Sequence, residues 1–310
     1  MRHKAPNQWA VRTCVIFNPA ARGEKARRFR RNLDEALAGC TLKLTAAAGD
    51  GRRLAAEAVQ EGFDNIVAAG GDGTLNEVLN GLGDAPGGIE RCRLGLLPLG
   101  TVNVFAREMG IPTRLEAAWK TILEGNETRI DLPLVEYPDG NRSSRRSYFA
   151  QLAGAGLDAR AIELVQWQLK KKVGPLAYVL AGLSALTRPP SNVTVVNGST
   201  EVQGQLVLIG NGRRYGGEFR VFPSADARDG LLDVCVFPRV NWFTLVWCGS
   251  RLLSLKTLPP GAVRRFRAAS FSLLSAERTP FEVDGELVGP LPARFSVEPV
   301  RLRVLVPKSE

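Results

Sequence analysis

Apolar residues in the first hundred positions form short runs that alternate with stretches of helical spacing. The predicted strands are residues 12–17, 42–45, 65–68 and 93–98. The predicted helices, with apolar residues every three or four positions, are residues 24–38, 51–61 and 74–81. Strands that alternate with helices are typical of βαβ units around a parallel sheet. The chain is therefore predicted to begin with an α/β domain.

The pattern changes after one further helix, predicted over residues 113–124. Pro112 precedes this helix, and Thr113 with Glu116 has the spacing of a capping box. Short β-rich runs follow, at residues 129–137, 147–153, 193–197, 203–210, 232–237, 268–274, 280–283, 293–297 and 301–306. Their spacing predicts an antiparallel β-sandwich as a second domain.

Two segments of helical period, residues 159–186 and 241–258, interrupt the β-rich part. Both mix leucine and aromatic residues with lysine or arginine. Such helices usually pack on a core through their apolar face. Basic amphipathic helices also rest on anionic membranes, so the sequence leaves both interpretations open.

Composition narrows the class of protein. The chain has 310 residues, 45% of them hydrophobic, which is enough for two domains. It contains no apolar run long enough to span a bilayer and does not begin with the apolar core of a signal peptide, so we predict a cytoplasmic protein. The formal net charge of +10 favours an anionic partner, which could be nucleotide phosphates, an anionic membrane or nucleic acid. No nucleic-acid-binding motif is recognisable, and we expect no nucleic acid partner.

Cysteine and histidine usage excludes several chemistries. The five cysteines are scattered without a C-x-x-C pair, which indicates neither a disulfide framework nor a zinc site. The single histidine, His3, lies at the start of the chain, so histidine triads and histidine bases are not expected. Acid–base chemistry must therefore fall to carboxylates.

The most informative segment is the glycine-rich run Ala69–Glu77, which follows an apolar strand and precedes a helix. Glycines allow a backbone to approach phosphate closely, and the free N–H groups of a helix start attract its charge. Asp72 would be repelled by phosphate, so we expect it to orient the loop or hold a metal-bound water. The alternative is an ordinary strand-to-helix turn.

Two further loops also follow apolar strands, at residues 97–103 and 18–23. Loops at the carboxyl ends of parallel strands converge where open α/β sheets bind ligands. In the first of them, Thr101 and Asn103 can supply hydroxyl and amide contacts to phosphate or ribose.

Together these loops resemble the diacylglycerol kinase catalytic-domain family, which includes bacterial diacylglycerol kinases, YegS- and BmrU-type lipid kinases, sphingosine kinases and ceramide kinases. The matching runs are NPAARG at 18–23, GGDGTLNEV at 70–78, LPLGTVNVFAR at 97–107, DGLLDV at 229–234 and VDGE at 283–286. The order and spacing of the motifs match the family over nearly the whole chain. The sequence looks most like the soluble bacterial members.

This resemblance implies an α/β + β fold related to NAD kinase. The implied N-terminal α/β nucleotide-binding domain covers residues 1–128 and is completed by a C-terminal strand at 300–310. The implied β-sandwich domain, which takes the lipid substrate, covers residues 129–299. In the family the active site lies in the cleft between the two domains.

The resemblance also implies the site residues. The ATP contacts would be Asn18, Thr45, Gly71, Asp72, Gly73, Thr74, Leu75, Asn76, Glu77 and Thr101. A structural Mg²⁺ would be held by Asp226, Asp229 and the backbone carbonyl of Leu231, whose oxygen atoms suit that cation. Glu286 would accept the proton of the lipid hydroxyl, and Asp284 would support it or the catalytic metal. By itself, D-G-E is more often a surface turn.

The function implied is ATP-dependent phosphorylation of diacylglycerol or a related lipid alcohol, in phospholipid biosynthesis. Such an enzyme would work peripherally at the inner, anionic face of the membrane. One departure is Val104, which stands where the family's second loop usually carries aspartate.

Two other functions stay open. An NAD kinase-like small-molecule kinase shares the glycine loop, although the S/T-A-Y stretch of NAD kinases is absent. A non-catalytic lipid-binding protein would retain the fold without turnover. An exposed strand edge in the sandwich is compatible with a homodimer.

Overall fold

A computed structural model describes residues 11–21, 29, 39–140, 143–157, 159 and 191–308. The predicted helices at 24–38 and 159–186 lie almost entirely outside the described residues. The chain divides into two compact units, residues 1–130 with 301–310 and residues 131–300.

The strands are β1 (Thr13–Phe17), β2 (Thr41–Leu44), β3 (Asn65–Gly70), β4 (Arg93–Pro98), β5 (Asn126–Pro138), β6 (Ser144–Tyr148), β7 (Leu152–Gly156), β8 (Val193–Asn197), β9 (Thr200–Gly204), β10 (Leu206–Gly210), β11 (Leu232–Phe237), β12 (Arg264–Ala268), β13 (Ser270–Leu274), β14 (Pro280–Val283), β15 (Glu286–Pro290) and β16 (Ala293–Val306). The helices are α1 (Asp50–Gln60), α2 (Asp72–Asp84), α3 (Gly88–Arg91), α4 (Val104–Glu108), α5 (Leu115–Glu124) and α6 (Trp242–Leu255), with a 3₁₀ turn at Pro260–Ala262.

The first unit is built on a parallel sheet, as its alternating pattern predicts. β1 pairs with β2 and β3, β3 pairs with β4, and the end of β16 lies beside β4. β1 and β3 are buried along their full length, which is typical of parallel strands covered on both faces. Helices α1 and α2 cross closely at Gly81, where a Cβ atom would lie 2.2 Å from the carbonyl oxygen of Arg52.

The capping box predicted for the fourth helix is wrong. The residue at the N-cap of α5 is Arg114, and no side chain caps the helix. Because the helix begins two residues after Thr113, the Thr113–Glu116 spacing is out of phase with the positions that a capping box requires.

The second unit is an antiparallel β-sandwich, and the predicted fold class is confirmed. One layer has the strand order β12-β11-β10-β7-β14-β15. The other includes β9, β8, β13 and the first part of β16, paired in that order. Both layers contribute side chains to one core, among them Val207 and Phe281 from the first and Leu273 and Phe295 from the second.

Several predicted strands differ from the observed ones. The run at 147–153 is two strands, β6 and β7, and the run at 203–210 is β9 followed by β10. The predicted strands 293–297 and 301–306 are one continuous strand, β16. The predictions missed β12 because its sequence RRFRA is rich in cations, and β15 because all five of its residues are exposed or half-buried.

Among the described residues, no helix combines the length and apolar character that crossing a bilayer requires.

Candidate functional site

The first polar turn of the first unit is organised by Asn18, directly after β1. Its Oδ1 atom accepts a hydrogen bond from the N–H of Ala20 at 2.9 Å, and its Nδ2 donates to Oγ1 of Thr74 at 3.2 Å. The backbone N–H of Asn18 donates to the carbonyl of Ala69 at 3.1 Å. Asn18 therefore connects the end of β1 to the glycine loop and the first turn of α2.

The two glycine-rich loops, which follow β3 and β4, contact each other through bare backbone. A Cβ atom on Gly100 would lie 2.5 Å from Cα of Gly71, closer than real Cβ contacts occur. The N–H groups of Leu99 and Gly100 donate to the carbonyl of Gly70 at 2.9 and 3.2 Å. Only glycine at position 100 allows such an approach, so the loops form one continuous backbone surface. The contribution of Gly100 was not predicted, although its L-G-T context beside a glycine loop was a usable signal.

Asn103 closes the second loop rather than extending from it. Its backbone lies in the left-handed region at φ 52°, and its side chain is buried. Its Oδ1 accepts from the N–H of Gly100 at 3.1 Å and its Nδ2 donates to the carbonyl of the same residue at 2.8 Å. The side chain of Asn103 therefore shapes the loop, and its expected amide contact to phosphate or ribose stays a prediction.

Glu77 holds a neighbouring turn of backbone. Its two carboxylate oxygens accept hydrogen bonds from the N–H groups of Gly49 and Gly51, each at 2.8 Å, at the start of α1. Asp50 fixes the same turn, because its Oδ2 accepts from the N–H groups of Ala46 and Ala47, and these bonds lower the pKa of Asp50. Glu77 was predicted to contact ATP, and in this structure its carboxylate is already bonded to backbone N–H groups.

The remaining predicted ATP contacts also lie in the first unit. Asp72, Gly73, Thr74, Leu75 and Asn76 form the first turns of α2, whose leading N–H groups have no acceptor within the helix. Thr45 is buried after β2 and its N–H donates to the carbonyl of Phe17 at 3.0 Å. Thr101 is exposed in the second loop. The geometry gives a helix N-terminus beside two glycine loops, which suits phosphate oxygens.

Val104, where the family usually has aspartate, is buried as the first residue of α4. An apolar side chain is compatible with that position.

The D-G-E motif of the second unit forms a tight hairpin between β14 and β15. Asp284 and Gly285 have φ values of 47° and 86°, and Val283 pairs with Glu286 across the turn. Two consecutive residues with positive φ characterise a type I′ turn, which favours Asp-Gly. The surface-turn interpretation is therefore right about the local structure, and it does not exclude a functional role.

Asp284 anchors this hairpin to the loop that precedes β7. Its Oδ2 accepts from the N–H of Ala150 at 2.7 Å, and its Oδ1 accepts from the N–H groups of Gln151 and Leu152 at 3.0 and 3.1 Å. Its own N–H donates to the carbonyl of Leu152 at 2.8 Å. The same bonds separate β6 from β7, because residues 149–151 turn toward the carboxylate instead of continuing a strand.

Glu286 follows the turn with an exposed side chain. The turn is fixed from the other side by Glu282, which is fully buried and accepts the N–H of Gly285 through Oε2 at 2.7 Å. Of the three acidic residues in this hairpin, two hold the backbone and the third reaches solvent.

The turn predicted to hold Mg²⁺ forms ion pairs with an arginine. Oδ1 of Asp229 accepts the N–H of Leu231 at 3.0 Å, and Oδ2 contacts Nη2 of Arg267. Nε of the same arginine lies 3.1 Å from Oδ2 of Asp233. Oxygen donors at Asp226, Asp229 and Leu231 suit Mg²⁺. Arg267 contacts one of the two oxygens of Asp229, so a cation bound there would compete with the guanidinium.

Charges around this turn are partly desolvated. Burial raises the pKa of Asp233 to about 6, and the positive charge of Arg265 opposes that shift. No cluster of three or more histidine, cysteine or acidic side chains with metal-binding geometry occurs in the described part of the chain.

Asp131 lies outside the motifs, and its hydrogen bonds hold the backbone of the turn that contains Asp229. It is fully buried, and its carboxylate accepts the N–H groups of Gly230 and Val300 at 2.8 and 2.7 Å. Its N–H donates to the carbonyl of Ala227 at 2.7 Å. An aspartate inside the apolar run IDLPLV was the available signal, because buried carboxylates are rare unless they are bonded.

Two family models match the chain. The diacylglycerol kinase catalytic domain matches residues 12–135, and the YegS C-terminal NAD kinase beta sandwich-like domain matches residues 151–306. The two matches correspond to an α/β unit with phosphate-suited loops followed by an antiparallel sandwich, which defines a kinase of the lipid kinase class.

Similar proteins define the family more narrowly. A diacylglycerol kinase of Staphylococcus carnosus is 32% identical over 96% of this chain and 95% of its own length, and one of Staphylococcus saprophyticus is 32% identical over 92% of each. This chain belongs to the diacylglycerol kinase family.

Solved structures agree on the fold. A structure of a diacylglycerol kinase from Bacillus anthracis has a TM-score of 0.69 at 20% identity, covering 96% of this chain and 97% of the other. Yeast NADH kinase in complex with NADH has a TM-score of 0.55 at 14% identity, covering 98% and 85%. The relation to the NAD kinase fold is confirmed.

Proposed function

We propose that this lipid kinase transfers the γ-phosphoryl group of ATP to a hydroxyl group of diacylglycerol or a related lipid alcohol, with Glu286 as the general base. The observation that carries the proposal is the hairpin at residues 282–286. Its turn is held by bonds to Asp284 and Glu282, which leaves the carboxylate of Glu286 exposed on a fixed backbone. The curated relatives named diacylglycerol kinase support the acceptor class.

ATP would bind, as its Mg²⁺ complex, at the two glycine loops of the first unit. The backbone N–H groups from Gly71 to Thr74 would bind phosphate oxygens, with Leu75 and Asn76 following in the same helix, whose N–H of Leu75 already donates to the carbonyl of Gly71 at 3.1 Å. The bare backbone at Gly71 and Gly100 would allow close approach. Asn18 positions Thr74 by a 3.2 Å hydrogen bond, and Thr101 supplies an exposed hydroxyl beside the loop.

Asp72, at the start of α2, would orient water around the metal carried by the nucleotide. Thr45 and Glu77 act on the shape of the loop that precedes α1.

In the reaction the acceptor oxygen forms a bond to the γ-phosphorus while the bond from that phosphorus to the β,γ-bridging oxygen breaks. ADP leaves with the electron pair of the broken bond, and the hydroxyl proton moves to a carboxylate oxygen of Glu286. Phosphoryl transfer depends mostly on positioning and charge neutralisation, so a single base is sufficient. Asp284 has a positioning role, since its oxygens bind backbone N–H groups.

The proposed setting is the inner face of the membrane, where the enzyme binds peripherally and its product enters phospholipid biosynthesis. The structural Mg²⁺ at Asp226, Asp229 and Leu231 stays a prediction. Arg267 lies against Asp229, one of its expected ligands, and would compete with the cation.

The test is transfer of labelled γ-phosphate from ATP into organic-extractable product, with a panel of diacylglycerol, phosphatidylglycerol, sphingosine and ceramide, and with NAD⁺ as a soluble acceptor. Glu286→Gln should lower kcat by about 10²–10⁴-fold while KM for ATP changes little. Exposed Glu201 provides the matched control, Glu201→Gln, which should behave as wild type.

Label in none of the lipids would contradict the lipid acceptor, and label in NAD⁺ alone would favour the small-molecule kinase that shares this fold. Undiminished turnover in Glu286→Gln would remove Glu286 as the base.

A further inference from the structure

Helix α6 of the second unit leaves an apolar face in solvent. Its inner face is short: Cys248 is buried, and Leu245 and Leu252 pack against the cluster that includes Phe222 and Val240. Its outer residues are exposed, with Trp242 at 58%, Phe243 at 74%, Val246 at 65% and Leu253 at 72%. Large apolar side chains that are contiguous and exposed mark interaction sites.

This helix is held firmly in place. The side chain of Asn241 caps its first turn by accepting the N–H of Thr244 at 2.9 Å. At the other end, Lys256 adopts a left-handed conformation, and its carbonyl accepts the N–H of Arg220 at 2.7 Å. Trp247 packs beside the 3₁₀ turn, near Gly261. The outer face is therefore presented on a fixed helix about 20 Å long.

The charge around the helix identifies its partner. Between Asp233 and Glu277 the sequence has no acidic residue, and its cations are Arg239, Arg251, Lys256, Arg264, Arg265 and Arg267. Arg239, Lys256 and Arg264 are exposed, the first two at the ends of α6. One acidic side chain from outside this stretch lies close by: an oxygen of exposed Glu218 is 3.9 Å from Nζ of Lys256, a weak surface ion pair. Tryptophan and phenylalanine next to a local excess of cations are the composition of helices that lie in the interface of anionic bilayers, and a second copy of the same surface would bring like charges together.

We propose that the outer face of α6 is a docking surface for an anionic lipid bilayer, with Trp242, Phe243, Val246 and Leu253 in the interface and Arg239 and Lys256 against the headgroups. The inference rests on the proposed function, in which the acceptor is a membrane lipid. It assigns the membrane contact to one helix, apart from the residues that bind ATP or take the proton.

The test is flotation with vesicles of phosphatidylcholine, alone or mixed with phosphatidylglycerol. Wild type should bind the anionic vesicles and lose binding as salt is raised. The double variant Phe243→Glu with Val246→Glu should bind them at least about tenfold more weakly. Leu123→Glu with Leu274→Glu makes the same charge change at exposed leucines elsewhere, and it should differ far less from wild type.

A second variant tests the electrostatic part without adding charge to the apolar face. Arg239→Gln with Lys256→Gln should weaken binding to anionic vesicles by about fivefold for each cation that contacts headgroups, and leave binding to phosphatidylcholine unchanged. Circular dichroism of both variants should match wild type.

Activity separates this inference from the proposed function. With a short-chain diacylglycerol dissolved without vesicles, the Phe243→Glu, Val246→Glu variant should turn over as wild type, whereas with long-chain diacylglycerol in vesicles it should lose activity. If wild type turns over neither the dissolved nor the vesicle-bound diacylglycerol, the proposed function is contradicted. The vesicle binding measured by flotation would be unaffected by that result. Vesicle binding equal to wild type in the α6 variant would overturn the docking surface, as would a wild-type dimer that this variant splits into monomers.

Discussion

The glycine loops of the first unit and the D-G-E hairpin of the second use polar side chains in the same way but expose different groups. In the first unit, Asn103 and Glu77 bind backbone, and the first N–H groups of α2 have no acceptor within the helix. In the hairpin, Asp284 and Glu282 bind backbone, and the group left at the surface is one carboxylate. Backbone N–H groups can bind an anion, and a carboxylate can accept a proton. The comparison therefore supports nucleotide binding at the glycine loops and base catalysis at the hairpin.

The largest expected effect comes from the contact between the glycine loops. Gly100→Ala places a Cβ atom 2.5 Å from Cα of Gly71, against backbone that cannot rotate away. We expect loss of about 1–3 kcal/mol in the free energy of unfolding and a sharp fall in ATP affinity, measured by thermal melting and nucleotide titration. Gly249→Ala is the matched control, because no atom lies within 4 Å of a Cβ there, and it should melt no lower than wild type. ATP binding unaffected by Gly100→Ala would show that the close approach does not shape the nucleotide site.

The hairpin should be the next most sensitive feature. Asp284→Asn removes one acceptor oxygen and turns an NH₂ group toward N–H donors, which we expect to cost about 1–3 kcal/mol for each bond left unmade. Activity should fall through kcat more than through KM for ATP, because Glu286 loses its fixed backbone. Asp139→Asn, in a surface loop, serves as the control. A variant Asp284→Asn with normal melting and normal kcat would contradict the positioning role.

A smaller effect is expected at Glu77. Glu77→Gln keeps one acceptor for the N–H groups of Gly49 and Gly51 and should lower stability by about 1–2 kcal/mol. If the turn before α1 contributes to nucleotide binding, KM for ATP should rise with little change in kcat. Glu124→Gln, which loses only an exposed ion pair with Lys120, should change stability by less than about 0.5 kcal/mol. Equal kinetics for the two variants would remove Glu77 from the nucleotide site.

The smallest effect concerns the Asp229 turn, and it decides whether a cation or Arg267 neutralises that carboxylate. Because the guanidinium and Mg²⁺ compete for Asp229, the rise in melting temperature on replacing EDTA with Mg²⁺ should be larger in Arg267→Ala than in wild type. Arg264→Ala, an exposed cation on the same strand, should respond as wild type. The same response in all three proteins would argue against a Mg²⁺ site at this turn.

Much of the fold was predictable because its signals are local. Buried parallel strands such as β1 and β3 are continuous apolar runs, and the loops that follow them carry glycine at the positions where backbone must approach phosphate. The Asp-Gly pair likewise predicts its hairpin. The cation-rich strand β12 was missed, since its cations differ from the apolar pattern that identifies a strand.

By itself the sequence determined the order of strands and helices, the phosphate-suited loops and, by resemblance, the family. Only the tertiary structure decided which polar residues hold backbone and which face solvent. The donors to Asp284 lie 132 to 134 residues away along the chain, and the bonds of Asp131 reach Gly230 and Val300. Hydrogen bonding acts over about 3 Å in space, whereas a sequence pattern reports neighbours within a few positions, so such partners exist only once the chain has folded.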